Sequence, residues 1–485
     1  MKIPLSLLSV LILIGFVTMQ SEAVSLQKQS TVGSEQSTMG MGNKPPAGIK
    51  DLQTTSLITL KNGLRLIVRE RPETQTAALQ VWVRVGSRDE REGQFGISHL
   101  LAHLILKGTE DLPAPELAQK VASLGGQIGG GTSQEYSQYY AEVPATNYRE
   151  MLKLLVEMVT RPALREEDLA KERQVVLTEI GRLKDIPESY VDELALREVF
   201  KGHPMGNPIR GKEEDLKKIS RDALIAHYQS HYLPTHMVIV AVGNVKTEEV
   251  TEAISEKIEK WGNGRVEQWQ NEPGSSHFPS SSGYPEQSQL REISLGSILL
   301  QQAKILLAIR VMGLQDADRP AMEVLTGIIQ LRLFDSIRET HGLAYVVNSD
   351  YVPLSDTGIW KIYIEVQGKE ENRTRQVLFE ELKKIRTVDK GSSLEEEVEE
   401  AKDYLKGRLA RVLETNRDLA SYLGERALFN SLESEGAYFS KINSVTLEEV
   451  HRVAIQYIQE THYNLIVLRP FGLIGKLGFL LKQIF

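Results

Sequence analysis

The sequence predicts an α+β protein built from two homologous domains, each a mixed β-sheet packed with helices. The first observation behind this prediction is an internal duplication. The segments Ser220–Val240 and Thr446–Val467 begin 226 residues apart, and each starts with a residue that can cap a helix and ends in a short apolar strand. The second observation is that strand patterns are grouped as well as alternating with helix patterns, which favours α+β over a doubly wound sheet.

Individual elements follow from the spacing of apolar residues. Continuous or alternating apolar runs predict strands over Leu64–Arg69, Ala77–Val85, Ile305–Val311 and Trp360–Val366. Helical spacing and capping residues predict helices over Ser98–Lys107, Pro115–Leu124, Tyr148–Arg161, Glu166–Leu183, Arg319–Leu333 and Glu395–Glu414. Thr446 and Glu449 also have the spacing of a capping box, which predicts a helix start at that point.

The N-terminus predicts a secretory signal over residues 1–23. Lys2 precedes an almost wholly apolar run, and the small residues Ser21 and Ala23 suit a cleavage site. The alternative is an uncleaved N-terminal anchor. Residues 24–50 are rich in Ser, Gly, Gln and Met and predict a flexible leader. The mature protein is therefore expected outside the cytoplasm, in the periplasm of a Gram-negative host.

Composition changes along the rest of the chain mark the domains. Residues 267–289 are polar and rich in Ser, Gly and Pro, which predicts an interdomain linker. The two domains are then residues 51–266 and residues 290–470. Residues 471–485 mix apolar residues with lysines and predict an amphipathic tail, which would pack on a partner chain or touch a membrane surface.

The charge balance and the lack of cysteine narrow the function. A formal net charge of −8 and the absence of a basic cluster argue against a nucleic-acid partner. The chain has no cysteine, so disulfides and thiolate metal sites are excluded. Any metal must bind His, Asp or Glu.

Three residues of the first predicted helix resemble a zinc-binding motif that lacks its catalytic residue. His99 and His103 lie four residues apart, on one face of the helix, which is the spacing of the inverted zinc motif H-x-x-E-H. In that motif the glutamate accepts a proton from the attacking water. Ala102 occupies its position here and cannot accept a proton. A histidine pair at this spacing also arises from chance and core packing, so a third ligand is needed.

Two glutamates on a later helix provide candidates for that ligand. Glu172 and Glu179 share a helical face with apolar residues of the segment Glu166–Leu183. A carboxylate on an apolar face requires a cation or several hydrogen bonds. The alternative is a pair of solvated glutamates at the edge of the stripe.

Three segments together resemble the insulinase/pitrilysin family of zinc metallopeptidases, in its processing-peptidase-like branch. Residues 95–109 resemble the zinc segment of the family except at Ala102, and residues 172–180 resemble its second segment. In the C-terminal half, residues 332–345 resemble a third segment that contains Arg338 and Tyr345. The likeness extends from residue 50 to about residue 470.

The resemblance implies a role for each matched residue. His99, His103 and Glu179 would bind zinc, with Glu172 as a supporting residue behind them, although whether zinc is bound is left open. Arg338 and Tyr345 would bind substrate and stabilise the oxyanion, most naturally in the chamber of a partner chain.

The resemblance also implies an architecture and a way of binding substrate. The two domains would form half of a clamshell that a second chain completes, either a homologous subunit with an intact zinc motif or a second copy. Substrate would be an extended peptide that adds to the sheet edge formed by Gly125–Tyr140. Gly129 and Gly130 replace the usual Asn-Ala there, which removes a polar side chain and makes the edge more flexible.

Three functions remain open from the sequence. The preferred one is a non-catalytic subunit that supplies Arg338 and Tyr345 to an extracytoplasmic zinc endopeptidase. The alternatives are a self-sufficient zinc metalloendopeptidase with another base, and a peptide-binding or assembly protein without hydrolytic activity. Whether the chain is an enzyme on its own is therefore left open.

Overall fold

The computed structural model describes residues 55–259, 261, 291–297, 300–387 and 394–470. The predicted signal peptide, leader, linker and C-terminal tail lie outside these residues. Within the described part of the chain, no helix combines the length and the apolar character needed to cross a bilayer.

The first sheet contains six strands in the order β1-β2-β6-β3-β5-β4. These strands are β1 Thr55–Thr59, β2 Arg65–Glu70, β3 Thr76–Val83, β4 Gln127–Thr132, β5 Ser137–Pro144 and β6 Met237–Gly243. Strands β2 and β6 are parallel, and every other neighbouring pair is antiparallel. All seven residues of β6 are buried, as expected for a central strand covered on both faces.

The second sheet contains five strands in the order β7-β11-β8-β10-β9. These strands are β7 Arg291–Ser297, β8 Gln302–Val311, β9 Ala344–Pro353, β10 Gly358–Gln367 and β11 Asn464–Pro470. Its one parallel pair joins β7 to β11. This order repeats that of the last five strands of the first sheet, so the structure bears out the duplication.

Helices pack on both sheets, and the α+β prediction is confirmed. In the first half of the chain the helices are α1 Ile97–Ile105, α2 Ala114–Ser123, α3 Tyr148–Thr160, α4 Glu166–Arg182, α5 Pro187–Val199, α6 Glu213–Leu216, α7 Arg221–His231 and α8 Thr247–Glu259. In the second half they are α9 Arg319–Leu333, α10 Glu371–Arg386, α11 Leu394–Val412, α12 Asn416–Leu428, α13 Glu435–Ser444 and α14 Leu447–Tyr457.

The duplicated helix starts have the predicted caps. The Ser220 side chain accepts a hydrogen bond from the backbone of Ala223 at the start of α7. At the start of α14, Thr446 and Glu449 form the predicted capping box.

Contacts within the chain define two compact units, and neither is a continuous stretch. The first comprises the described residues of Met1–Thr178, Pro208–His277 and Leu409–Gly436, so it includes α12 from the second half. The second comprises those of Glu179–Asn207, Phe278–Arg408 and Ala437–Phe485, and it includes α5 from the first half. Helix α12 packs on β3 and β6, and α5 packs on β8 and β11. The sequence boundaries at 266 and 290 fall outside the described residues and stay a prediction.

Candidate metal centre

Helix α1 is held at its N-terminus by a buried carboxylate. Gly96 precedes the helix with φ +96°, a conformation that favours glycine. The carboxylate of Glu90 accepts hydrogen bonds from the backbone N–H groups of Gly96 at 2.7 Å and of Ser98 at 2.9 Å. Burial raises the pKa of Glu90 to about 8. These bonds satisfy donors that every helix start leaves open, and they fix the residues just before His99.

The two histidines of α1 point their Nε2 atoms at each other. His99 and His103 are each 4% exposed, and their Nε2 atoms lie 3.3 Å apart. Two nitrogen ligands of a tetrahedral zinc ion, each about 2.0–2.1 Å from the metal, would be about 3.3 Å apart. The spacing of the two rings therefore suits a shared zinc ion.

Glu172 of α4 fixes the hydrogen position on His103. Its Oε2 lies 3.0 Å from His103 Nδ1, and its Oε1 lies 2.7 Å from Nζ of Lys107. Burial would raise the pKa of Glu172, but the hydrogen bonds from His103 and Lys107 and the positive charge of Lys107 hold it below its ordinary value. The ionised carboxylate accepts a hydrogen bond from Nδ1–H, so Nε2 presents a lone pair to a metal.

Glu179 of α4 completes a set of three candidate metal ligands. Ligand atoms of His99, His103 and Glu179 all lie within 4.8 Å of one another, the only such His/Cys/Asp/Glu cluster among the residues that the structure describes. Glu172 and Glu179 are seven residues apart, two turns along the same face of the helix. Two imidazoles and a carboxylate are a donor set that zinc takes in hydrolases.

The glutamate position of the motif lies in the core. Ala102 is 0% exposed, and its methyl group has no proton acceptor to offer. Neither Glu110 nor Glu135 substitutes for it. Glu135 is buried and paired with Arg88, while the Glu110 side chain is 72% exposed.

Arg338 and Tyr345 lie in the second unit. Residues Phe334–Thr340 form a π-helical turn. This conformation is rare in proteins, and where it occurs it is often at a functional site. Arg338 holds its guanidinium 4.9 Å from the ring centroid of Phe334, and 30% of its side chain is exposed. Tyr345 is the second residue of β9, the edge strand of its sheet, and is 81% exposed. A tyrosine this exposed makes little contribution to the core.

The predicted substrate edge contains two strands rather than one. The segment Gly125–Tyr140 spans β4 and the start of β5, and only β4 lies at the edge of the first sheet. Gly129 pairs with Tyr140, and a Cβ at Gly129 would overlap the phenol of that tyrosine. Arg417 also lies over this ring, 4.8 Å from its centroid. The space of the missing side chain at Gly129 is therefore filled by Tyr140.

Two residues that support the centre are not predicted from the sequence. Glu90 and Lys107 lie before and after the motif, and only the structure shows which groups they contact. Their one sequence signal is a charged residue near each end of an apolar helix. His227 is also buried close to this helix, with its Nε2 3.0 Å from Ser98 Oγ.

Sequence comparisons match the chain to a family of peptidases and to relatives named as zinc proteases. Residues 65–213 match the sequence profile of the insulinase family, peptidase family M16, and residues 218–405 match that of the peptidase M16 inactive domain. An uncharacterized zinc protease of Mycobacterium leprae is 30% identical over 419 residues, which cover 85% of this chain and 91% of the relative. One of Bacillus subtilis is 28% identical over 85% of this chain and 98% of its own length.

Solved structures have the same fold. A protease from Helicobacter pylori superimposes with a TM-score of 0.72 at 23% identity, covering 86% of this chain and 99% of its own. A peptidase M16 inactive domain from Pseudomonas fluorescens gives a TM-score of 0.73 at 19% identity, with 86% and 98% covered. Together with the matched profiles and the 30% identical relative, these findings place the chain in the insulinase family of metallopeptidase-like proteins, peptidase family M16.

Proposed function

We propose that this chain is the non-catalytic subunit of an extracytoplasmic zinc endopeptidase. In this proposal it supplies Arg338 and Tyr345 to a homologous chain with a complete H-x-x-E-H motif. The observation that carries the proposal is Ala102, which removes the general base from a helix whose other motif residues are in place.

Loss of the base is expected to stop hydrolysis by this chain alone. A positioned general base contributes about 10²- to 10⁴-fold in rate. Glu172 is already engaged by His103 and Lys107, and Glu135 by Arg88. Neither of these two carboxylates is therefore free to accept a proton from water.

The exposure of Arg338 and Tyr345 supports a role in trans. A guanidinium with five fixed donors and a phenol suit the carbonyl oxygens of an extended peptide and the oxyanion that forms on attack. The Arg338 side chain is held by Phe334 on one side and is partly solvent-accessible, as a substrate-binding group must be.

The chain would still bind zinc. His99, His103 and Glu179 would hold the ion, and zinc at such a site supplies Lewis-acid chemistry to a peptide carbonyl. Glu172 would orient His103 from behind. A pseudoenzyme can keep such a site because the metal joins α1 to α4 and stabilises the folded chain.

The cellular location of the chain and the contacts of its C-terminal tail are proposals that rest on the sequence. The signal over residues 1–23 supports export to the periplasm, with an uncleaved anchor as the alternative. The tail over residues 471–485 supports packing on a partner chain or contact with a membrane surface.

The test of the missing base compares the purified mature chain with its Ala102→Glu variant on a fluorogenic peptide library with zinc. We expect no chelator-sensitive cleavage by the native chain. Cleavage by Ala102→Glu would show an intact zinc site that lacks only its base. No cleavage by either protein would mean that a partner chain is needed or that the protein only binds peptides.

The test of the role in trans uses the chain mixed with a homologue that carries the complete motif. Arg338→Ala or Tyr345→Phe should lower the activity of the pair by at least about tenfold, as expected when an oxyanion donor is lost. His99→Ala should leave it nearly unchanged. Equal losses of activity from all three variants would reject the proposal that this chain supplies Arg338 and Tyr345 while the homologue supplies the zinc site.

A second candidate is a self-sufficient zinc metalloendopeptidase. The assembled ligand set of His99, His103 and Glu179 favours it. Chelator-sensitive cleavage by the native chain alone, abolished by His99→Ala, would establish this function in place of the first.

A further inference from the structure

Lys107 lies beside the candidate metal centre without being part of any ligand set. It follows His103 by four residues and lies in the turn just after the end of α1 at Ile105. Its Nζ contacts Oε1 of Glu172 at 2.7 Å, while Oε2 of the same carboxylate accepts from His103 Nδ1 at 3.0 Å. Each carboxylate oxygen therefore has its own donor, and both donors come from one segment of chain.

We propose that Lys107 is a positioning residue that prepares His103 for metal binding through Glu172. A carboxylate with one hydrogen-bond donor can rotate about its terminal bond, whereas two donors at fixed positions hold its plane. A fixed Glu172 keeps the hydrogen of His103 on Nδ1 and directs the Nε2 lone pair toward His99. The inference rests on the metal site in the proposed function.

The backbone around Lys107 is built to hold it in place. Gly108 has φ +92°, and a Cβ there would overlap the carbonyl oxygen of Leu112. Isolated β-bridges join Gly108 to Pro113 and Thr109 to Pro162. The chain that leaves α1 is therefore tied down immediately after Lys107, so the long side chain starts from a defined position.

Burial distinguishes this pair from an ordinary surface ion pair. The Glu172 side chain is 8% exposed and that of Lys107 is 27% exposed. A buried carboxylate requires compensation for its lost hydration, and Lys107 supplies the only full positive charge in contact with Glu172 among the described ion pairs. By contrast, Lys120 and Glu150 pair between α2 and α3 with side chains 42% and 56% exposed, where a pair contributes little.

The experiment measures zinc affinity of the full mature chain by competition with a chromophoric chelator, together with the visible spectrum of the cobalt(II) form. Lys107→Met should weaken zinc binding by about 10- to 100-fold, the usual effect of losing a residue that orients a ligand. Its cobalt spectrum should change, because the ligand geometry changes. Lys107→Arg should recover most of the affinity, since the guanidinium can donate to the same oxygen.

A matched control separates positioning from general stability. Lys120→Met also removes one lysine from an ion pair between helices and should alter neither zinc affinity nor the cobalt spectrum. If Lys107→Met bound zinc as tightly as the native chain, the inference would be wrong. Should Lys107→Met fail to fold by circular dichroism, Lys107→Gln takes its place with the same expectation.

A second readout works without metal and keeps the two proposals apart. If the native chain binds no zinc, the proposed metal site fails. The tautomer of His103 can still be read from the ¹⁵N shifts of histidine-labelled, metal-free protein. The native chain should show hydrogen on Nδ1 and Lys107→Met a mixture of tautomers, while identical spectra would overturn the role of Lys107.

Discussion

Ala102 separates two properties that a complete zinc motif combines. Metal binding needs lone pairs at fixed positions, and hydrolysis also needs a group that accepts a proton. Alanine has the highest helix propensity and fits a position that is 0% exposed. A glutamate restored there would bury a charge, so Ala102→Glu should be less stable than the native chain until zinc is bound.

A histidine pair next to α1, in which His227 is buried and His231 is half-buried, makes stability depend on pH. His227 and His231 of α7 have ring centroids 4.6 Å apart. Burial, with smaller effects of His236 and Arg91, lowers the pKa of His231 from 6.5 to about 4. The unfolded chain therefore binds the proton first. The stability due to neutral His231 is fully present above about pH 6.5 and falls as the pH falls toward 4.

His231→Gln should remove the part of this dependence that is due to His231, because glutamine does not titrate. Relative to the native chain, the variant should gain about 1–2 kcal/mol in free energy of unfolding between about pH 7.5 and pH 5. Urea unfolding of both proteins at the two pH values measures this change in the free energy of unfolding. Glu90 and Asp89 titrate in the opposite sense, with pKa values raised by burial to about 8 and about 7, but they are common to both proteins and cancel. An equal difference at both pH values would contradict the assignment.

Side chains on one helix were easier to predict than side chains that meet across elements. Helical spacing alone places His99 beside His103, and Glu172 on the same face as Glu179, and the structure brings these residues together as expected. That Lys107 reaches Glu172 depends on how the turn after α1 lies against α4. That Glu90 caps α1 depends on a loop conformation. Neither follows from periodicity.

Most elements could be predicted because their apolar spacing is local information. The predicted helix Arg319–Leu333 has the observed bounds, and the predicted strand Ala77–Val85 corresponds to β3. The hairpin of β4 and β5 was predicted as a single edge, since its glycines carry no apolar pattern. The π-helical turn around Arg338 could not be predicted, because its sequence has ordinary helix formers.

Helix α12 depends on one glycine to reach its sheet. Gly424 lies against the indole of Trp82 on β3, and a Cβ at this position would overlap the indole nitrogen. Trp82 is 2% exposed, so the ring has no free space to move into. Gly424→Ala should therefore lower the free energy of unfolding by about 1–3 kcal/mol, the usual cost of overpacking a core.

The matched control for that substitution is Gly181→Ala in α4. No atom lies within 4 Å of the Cβ position at Gly181, so the change should be neutral or stabilising by up to about 1 kcal/mol through helix propensity. Urea unfolding of both variants gives the comparison. Equal effects of the two alanines would mean that α12 does not need close contact with Trp82.

At the level of the whole chain, the duplicated halves exchange a helix. Helices α5 and α12 begin 229 residues apart, which is close to the repeat, and each belongs to the compact unit of the other half. The apolar face of α5 packs with buried residues of β8 and β11 such as Leu306 and Ile466. A sequence shows that such a face is buried, but it does not show on which sheet. Contiguous domains were therefore the natural prediction.

The exchange predicts that the first half does not fold alone. A fragment of residues 51–266 lacks α12, which covers β3 and β6, and it keeps α5 with its apolar face uncovered. Exposed apolar faces of this size favour aggregation over folding. The fragment should show no cooperative urea unfolding. A second fragment lacks residues 179–207 and carries Leu409–Gly436, fused through a flexible linker. This second fragment should unfold cooperatively. If residues 51–266 alone unfolded with the midpoint of the fused form, α12 would be dispensable and the sequence boundaries would mark an independent domain.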